Sequence, residues 1–190
     1  NMKKILNQKN KSPFLILFFG KSATGKTFYS RKLARQLSVP HLALDDIKET
    51  LYDLGFKNET DQDKKIINDA SFEAILSISN EYLKASKTII LDIHTKEPLQ
   101  TVRQLAEKYN NIFYSIELIT NETSRSERYN LRIATSERHK KHYDELKTQT
   151  QSGLNYERSI HPNIVIDTTE DSEKVYRNIL REVTKFYENN

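Results

Sequence analysis

Apolar and polar positions fall into blocks along the chain, and the blocks read as strands separated by helices. Residues 14–19 form an unbroken apolar run rich in β-formers, the pattern of a strand buried on both faces. Over residues 26–37, Phe28, Leu33, Ala34 and Leu37 fall on one helical stripe that ends before Pro40. Residues 41–44 read as a short second strand. The segment DDIKETLYDLG follows as a helix, with acids in its first turn and Gly55 as its stop. Residues 61–85 are predicted to form a long amphipathic helix whose core face is Ile66, Ile67, Ala70, Ile75, Ile78 and Leu83. A third strand is expected over 87–93, a helix over 99–109 and a fourth strand over 111–119. Residues 122–150 are charged and mostly helical in pattern, 163–167 form a fifth strand, and 172–187 close the chain as an amphipathic helix.

Strands that alternate with helices need crossover connections, so the expected sheet is mostly parallel and covered on both faces. Its 190 residues suit one domain, expected over 13–190. Residues 1–12 read as a basic, flexible tail, in which Asn1 ahead of Met2 is expected to be a tag residue. Ligands bind such sheets at the carboxyl ends of the strands. The residues just after each strand are therefore the ones to search.

Composition narrows the search without naming a chemistry. Hydrophobic residues make up 36% of the chain and charged residues 29%, with a net charge of +4. Acids and bases are interleaved, which suits a solvated mixed surface better than a nucleic-acid groove. No apolar run approaches the roughly 18 residues that span a bilayer, so no membrane partner is expected. The chain has no cysteine, which excludes a disulfide framework, a thiolate nucleophile and a cysteine zinc site. A reducing, cytoplasmic location fits.

Two of the four glycines sit five residues apart, directly after the first strand. Gly20, Gly25, Lys26 and Thr27 match G-x-x-x-x-G-K-[ST] between a predicted strand and a predicted helix, which is the context that pattern requires. Gly20 and Gly25 let the backbone fold around an anion, with Lys21, Ser22, Ala23 and Thr24 supplying N–H groups between them. The helix that begins at Lys26 adds its positive dipole end. Lys26 reaches the β- and γ-phosphates, Thr27 places its hydroxyl on Mg²⁺, and Phe28 follows as part of the same nucleotide site. The expected ligands are thus ATP and Mg²⁺. No Asp-x-x-Gly, no Asn-Lys-x-Asp and no LSGGQ-type segment is present, so GTPases and transporter ATPases are disfavoured. A kinase, or an ATP-binding switch with little turnover, remains.

Phosphoryl transfer needs one carboxylate to take the acceptor's proton and another to hold Mg²⁺. Asp45 or Asp46, after the second strand, suits the first task, although either could simply cap the helix. Asp92, at the end of the third strand, suits the second. A carboxylate there is costly to bury without a cation or hydrogen-bond partner. Arg128 and Arg132 lie at i and i+4 in the segment expected to close over the nucleotide, a lid at about 122–150. His94, two residues past Asp92, either contacts substrate or caps its strand. His139 and His142 are three apart, but no third metal ligand stands in register.

On these residues the chain resembles the small P-loop kinases related to adenylate kinase. The likeness is closest to the branch of AAA-domain, zeta-toxin and polynucleotide-kinase proteins that also holds chloramphenicol phosphotransferase and gluconate kinase. LILFFGKSATGKT carries the resemblance, and LALDDIKETL, IILDIHT, ERYNLR and VIDTTED follow in the family's order. It implies a five-stranded parallel sheet in the order 2-3-1-4-5 with a small helical lid. It also implies Asp45 as general base, Lys48 as a substrate contact and lid arginines on the ATP phosphates. Lys48 stands where the polynucleotide kinases carry Arg, which removes bidentate phosphate recognition. A small hydroxyl-bearing molecule is therefore favoured over a nucleic-acid 5′ end as the acceptor.

Overall fold

In the computed structural model, which describes residues 13–57, 59–94, 97–135 and 160–190, the five expected strands form one parallel sheet in the order β2-β3-β1-β4-β5. The strands are β1 (Phe14–Gly20), β2 (His41–Ala43), β3 (Ile89–His94), β4 (Ile112–Ile119) and β5 (Ile164–Asp167). The helices between and after them are α1 (Lys26–Leu37), α2 (Leu44–Asp53), α3 (Asp61–Lys84), α4 (Leu99–Lys108), α5 (Glu122–Thr135) and α6 (Ser172–Glu188). The tail over 1–12 and the expected lid beyond Thr135 lie outside the described residues, as do His139 and His142.

Strand β1 is buried along its whole length, and alternation sorts its side chains to two faces. Phe14, Ile16 and Phe18 pack with Tyr29, Leu33, Ala34 and Leu37 of α1 and with Val175, Tyr176, Ile179, Val183 and Tyr187 of α6. Leu15, Leu17 and Phe19 pack against Leu44 of α2, Phe72, Ile75 and Leu83 of α3, and Leu99, Val102 and Ala106 of α4. The result is a three-layer α/β/α sandwich. Each fully buried Leu, Ile or Phe contributes roughly 1.5–3 kcal/mol, so the central strand alone anchors much of the core.

Two stripes differ from the sequence expectation. In α1, Phe28 is 54% exposed and Tyr29 takes its place in the core. In α3 the buried line is Ile67, Ser71, Phe72, Ile75, Ser79 and Leu83, while Ile66, Ala70 and Ile78 face outward. Spacing by four from Ile67 to Leu83 recruits two serines into the stripe. Ser79 satisfies its hydroxyl on the Ile75 carbonyl at 2.7 Å, which makes a polar residue affordable in that position. Hydrophobicity alone could not place it. The start of α3 is fixed by a capping box: Asp63 N donates to Thr60 Oγ1 at 3.1 Å, and Thr60 N donates to Asp63 Oδ2 at 2.9 Å.

Candidate functional site

The loop between β1 and α1 is shaped by its own backbone. Gly20 has φ 151°, and a Cβ there would stand 2.4 Å from the Leu118 carbonyl oxygen. Gly25 has φ 90°, and the Tyr29 ring lies against the space a side chain would need. Ala23 also adopts a left-handed φ of 62°. Residues of alternating hand turn successive N–H groups to one side, which makes a concavity for an anion. Helix α1 then starts with no side-chain cap and no acid in its first turn. Its free N–H donors and positive dipole end face the loop.

Lys26 is only 7% exposed, and its Nζ donates to the Lys21 carbonyl at 2.9 Å, spanning the loop. Thr24 Oγ1 donates to the same carbonyl at 2.9 Å. One residue into the helix, Thr27 Oγ1 donates to Asp92 Oδ2 at 2.5 Å. Alternation along β3 puts Asp92 on the face covered by α1, since Phe18 of β1 is its register partner. Burial pushes the Asp92 carboxyl above its ordinary value. The Lys26 ammonium and the Thr27 hydroxyl pull it back, while Asp45 and Asp46 add to the push.

Strand β2 carries the next carboxylates. Ala43 is the register partner of Asp92, so Asp45 follows two residues later, in the first turn of α2 and at the same edge of the sheet. The neighbouring Asp46 is held from α1: Arg31 Nη2 donates to its Oδ1 at 2.7 Å and to its Oδ2 at 2.5 Å. Asp45 is exposed and makes no ion pair among the described residues. The two adjacent acids, equivalent by sequence, are thereby separated. Lys48, one turn further along α2, pairs with Glu97 at 3.5 Å. His94 is the register partner of Gly20, and its carbonyl accepts from Glu97 N at 3.1 Å.

On the other flank, Asn121 Oδ1 accepts from Ser124 N at 2.8 Å and starts α5. Arg128, two turns along, donates from Nη1 to Thr168 Oγ1 at 2.9 Å and from Nη2 to the Thr168 carbonyl. Thr168 is fully buried, and its own hydroxyl donates to the Thr24 carbonyl at 2.9 Å. A chain of bonds thus runs from the expected lid through the loop after β5 to the phosphate loop. Arg125 is turned to Glu122 instead, and Arg132 lies exposed one turn beyond Arg128. Next to Thr168, Asp167 accepts from Thr169 N at 2.8 Å and Thr169 Oγ1 at 2.6 Å; those bonds hold its carboxyl below the usual range.

The structure therefore gathers Gly20, Lys26, Thr27, Asp45, Asp92, His94 and Arg128 at one end of the sheet. Phe28 faces away from the core beside Tyr29. Sequence reasoning missed Thr168, Arg31 and Glu97. Thr168 and Glu97 both follow strand ends, so the same positional rule reaches them once uncharged side chains and ion-pair partners are included in the search.

The donor set suits Mg²⁺. A hydroxyl and a carboxylate oxygen, both hard ligands, meet at the phosphate loop. Among the described residues no group of three or more His, Cys, Asp or Glu could hold a metal alone. That pattern fits an ion bound through one or two protein oxygens plus phosphates. No helix of the described residues is long and apolar enough to cross a membrane.

Comparison with known proteins places this geometry. The family model described as AAA domain matches residues 15–153. An inferred kinase from Chloroflexus aurantiacus has a similar structure, with a TM-score of 0.71 at 21% identity, over 90% of this chain and 98% of that one. A gluconokinase from Sinorhizobium meliloti 1021 gives 0.61 at 18% identity, over 95% and 97%. The APS kinase of Mycobacterium tuberculosis, solved with AMPPNP and APS, gives 0.61 at 10% identity, over 91% and 98%. No curated protein sequence matches. The fold is that of the small P-loop kinases.

Proposed function

This chain belongs to the AAA domain family, and from that premise we propose that it is an ATP-dependent kinase that phosphorylates a hydroxyl group of a small molecule. The observation that carries the proposal is the placement of two carboxylates with different surroundings beside one phosphate loop. Asp92 is buried against Thr27, and Asp45 is exposed at the neighbouring strand end. A site that only binds nucleotide has no use for the second.

In this reading residues 13–190 form one kinase domain. The loop over residues 20–25 and the start of α1 bind the β- and γ-phosphates. Lys26 swings from the Lys21 carbonyl to a phosphate oxygen at little cost, because both partners are loop groups. Thr27 and Asp92 would hold Mg²⁺, directly or through water, and the ion would neutralise phosphate charge. Asp45 accepts the proton of the acceptor hydroxyl. The acceptor oxygen then forms its bond to the γ-phosphorus as the bond from that phosphorus to the β–γ bridging oxygen breaks. ADP leaves with that electron pair. Arg128 and Arg132 approach the transferring group from α5, with Arg128 aimed by Thr168. Lys48 and His94 line the acceptor side.

The first test is ATP binding by Lys26→Ala, followed by calorimetry on the full chain. The proposal expects loss of affinity of about tenfold or more with the fold intact. Unchanged affinity would remove the loop from the nucleotide site and end the scheme at its first step.

A further inference from the structure

Lys48 lies one turn beyond Asp45 in α2, on the side from which an acceptor has to approach. A free ammonium there would recruit a carboxylate or phosphate on that acceptor. Lys48 is not free: its Nζ stands 3.5 Å from Glu97 Oε1, and the two side chains are only 16% and 15% exposed. Burial pushes the Glu97 carboxyl up and Lys48 pulls it back, with Asp69 and Asp45 near enough to add to the push.

Two nearby cations are paired as well. Arg31 is taken by Asp46, Lys65 of α3 pairs with Asp69 at 2.6 Å, and Lys26 lies beside Asp92. Asp45, beside these pairs, is exposed and makes no ion pair among the described residues. An anionic acceptor would meet that carboxylate. It could reach Lys48 only by displacing Glu97, which would separate a largely buried carboxylate from that ammonium.

Building on the kinase reading, we propose that the acceptor is an uncharged polyhydroxyl compound that uses the Lys48–Glu97 pair as a ready donor and acceptor. One acceptor hydroxyl donates to the Glu97 carboxylate and a neighbouring one accepts from the Lys48 ammonium. Both charged groups stay paired, so neither is left unsatisfied when the substrate binds. The same pair then orients a third hydroxyl toward Asp45.

The test is ATP-dependent ADP release by the full chain with polyhydroxyl acceptors that differ by one CH₂OH replaced with a carboxylate: sorbitol against gluconate, and glucose against glucuronate. The uncharged members are expected to give kcat/KM at least about tenfold higher. In Glu97→Gln, which frees Lys48 with little change of shape, that preference is expected to narrow or reverse while KM for ATP stays unchanged. Preference of the wild-type chain for the anionic members overturns this inference and leaves the kinase reading standing. No stimulation by either series, with ATP still bound, overturns both. The wild-type ratio decides the matter even where the variant does not fold.

Discussion

The hydroxyl of Thr27 and the carboxylate of Asp92 meet at 2.5 Å, joining the first turn of α1 to the end of β3 across the phosphate loop. Neither side chain explains itself alone. A threonine at the start of a helix is ordinary, and a carboxylate that is 5% exposed at a strand end is costly. Together with Lys26 they form a compensated group beside the loop after β1, where the proposed Mg²⁺ would bind. Thr27→Ala and Asp92→Asn are each expected to weaken Mg²⁺ dependence of turnover by about 10–100-fold. Thr27→Ser should keep most of it. Mg²⁺ titrations that superimpose on wild type would remove the pair from the metal site.

Asp45 and Asp46 are adjacent but should respond in opposite ways. Asp45→Asn is expected to keep ATP affinity and lose about 10²–10⁴-fold in kcat, the usual share of a general base. Asp46→Asn breaks an exposed pair with Arg31, whose side chains are 44% and 52% exposed. Such pairs contribute about 0–1 kcal/mol, so kcat should hardly move. Kinetics in which Asp46 proved the sensitive residue would reverse the assignment.

Thr168 ties α5 to the phosphate loop, and its removal should be felt at both. Thr168→Val keeps the volume but leaves the Thr24 carbonyl without its donor and Arg128 with one bond fewer. The expected cost is about 1–3 kcal/mol of stability with a fall in kcat, and Thr168→Ser should recover both. Thermal denaturation beside steady-state kinetics separates the two effects. A stable variant with full kcat would show that Arg128 needs no aiming.

Stability should fall on the acid side through His41. Burial and the Arg31 guanidinium push this histidine down to about 4, against an ordinary value of 6.5, while Asp46 pulls the other way. It bonds to the buried Ser30 hydroxyl at 2.8 Å. Between those two values the unfolded chain binds the proton and the folded chain does not, so stability rises with pH across that window. His41→Gln should flatten the slope of urea midpoints between about pH 4 and 6.5. An unchanged slope would assign it to other groups.

Much of the fold is legible in the sequence because β1 carries no polar interruption and the other strands only one or two each. Residues 14–19 carry the pattern of a strand buried on both faces, and the glycines after it mark the phosphate loop. The helical stripes were less legible. Ser71 and Ser79 are buried in α3 while Ile66 and Ile78 are exposed, because helix phase is set by the sheet beneath, not by hydrophobicity. At the site, the loop residues and Asp92 follow from local pattern. The different surroundings of Asp45 and Asp46 do not, since they depend on Arg31, fifteen residues from Asp46. The same holds for Glu97, whose significance appears only when Lys48 is brought against it.

The most direct test follows the phosphoryl group itself. ATP labelled at the γ-phosphate is incubated with the full chain and a set of uncharged polyols and nucleosides, and the label is traced. The account predicts label in a phosphorylated acceptor with wild type, and at least about 100-fold slower labelling with Asp45→Asn, which still binds ATP. Label found only in inorganic phosphate, at the same rate in wild type and Asp45→Asn, would contradict it.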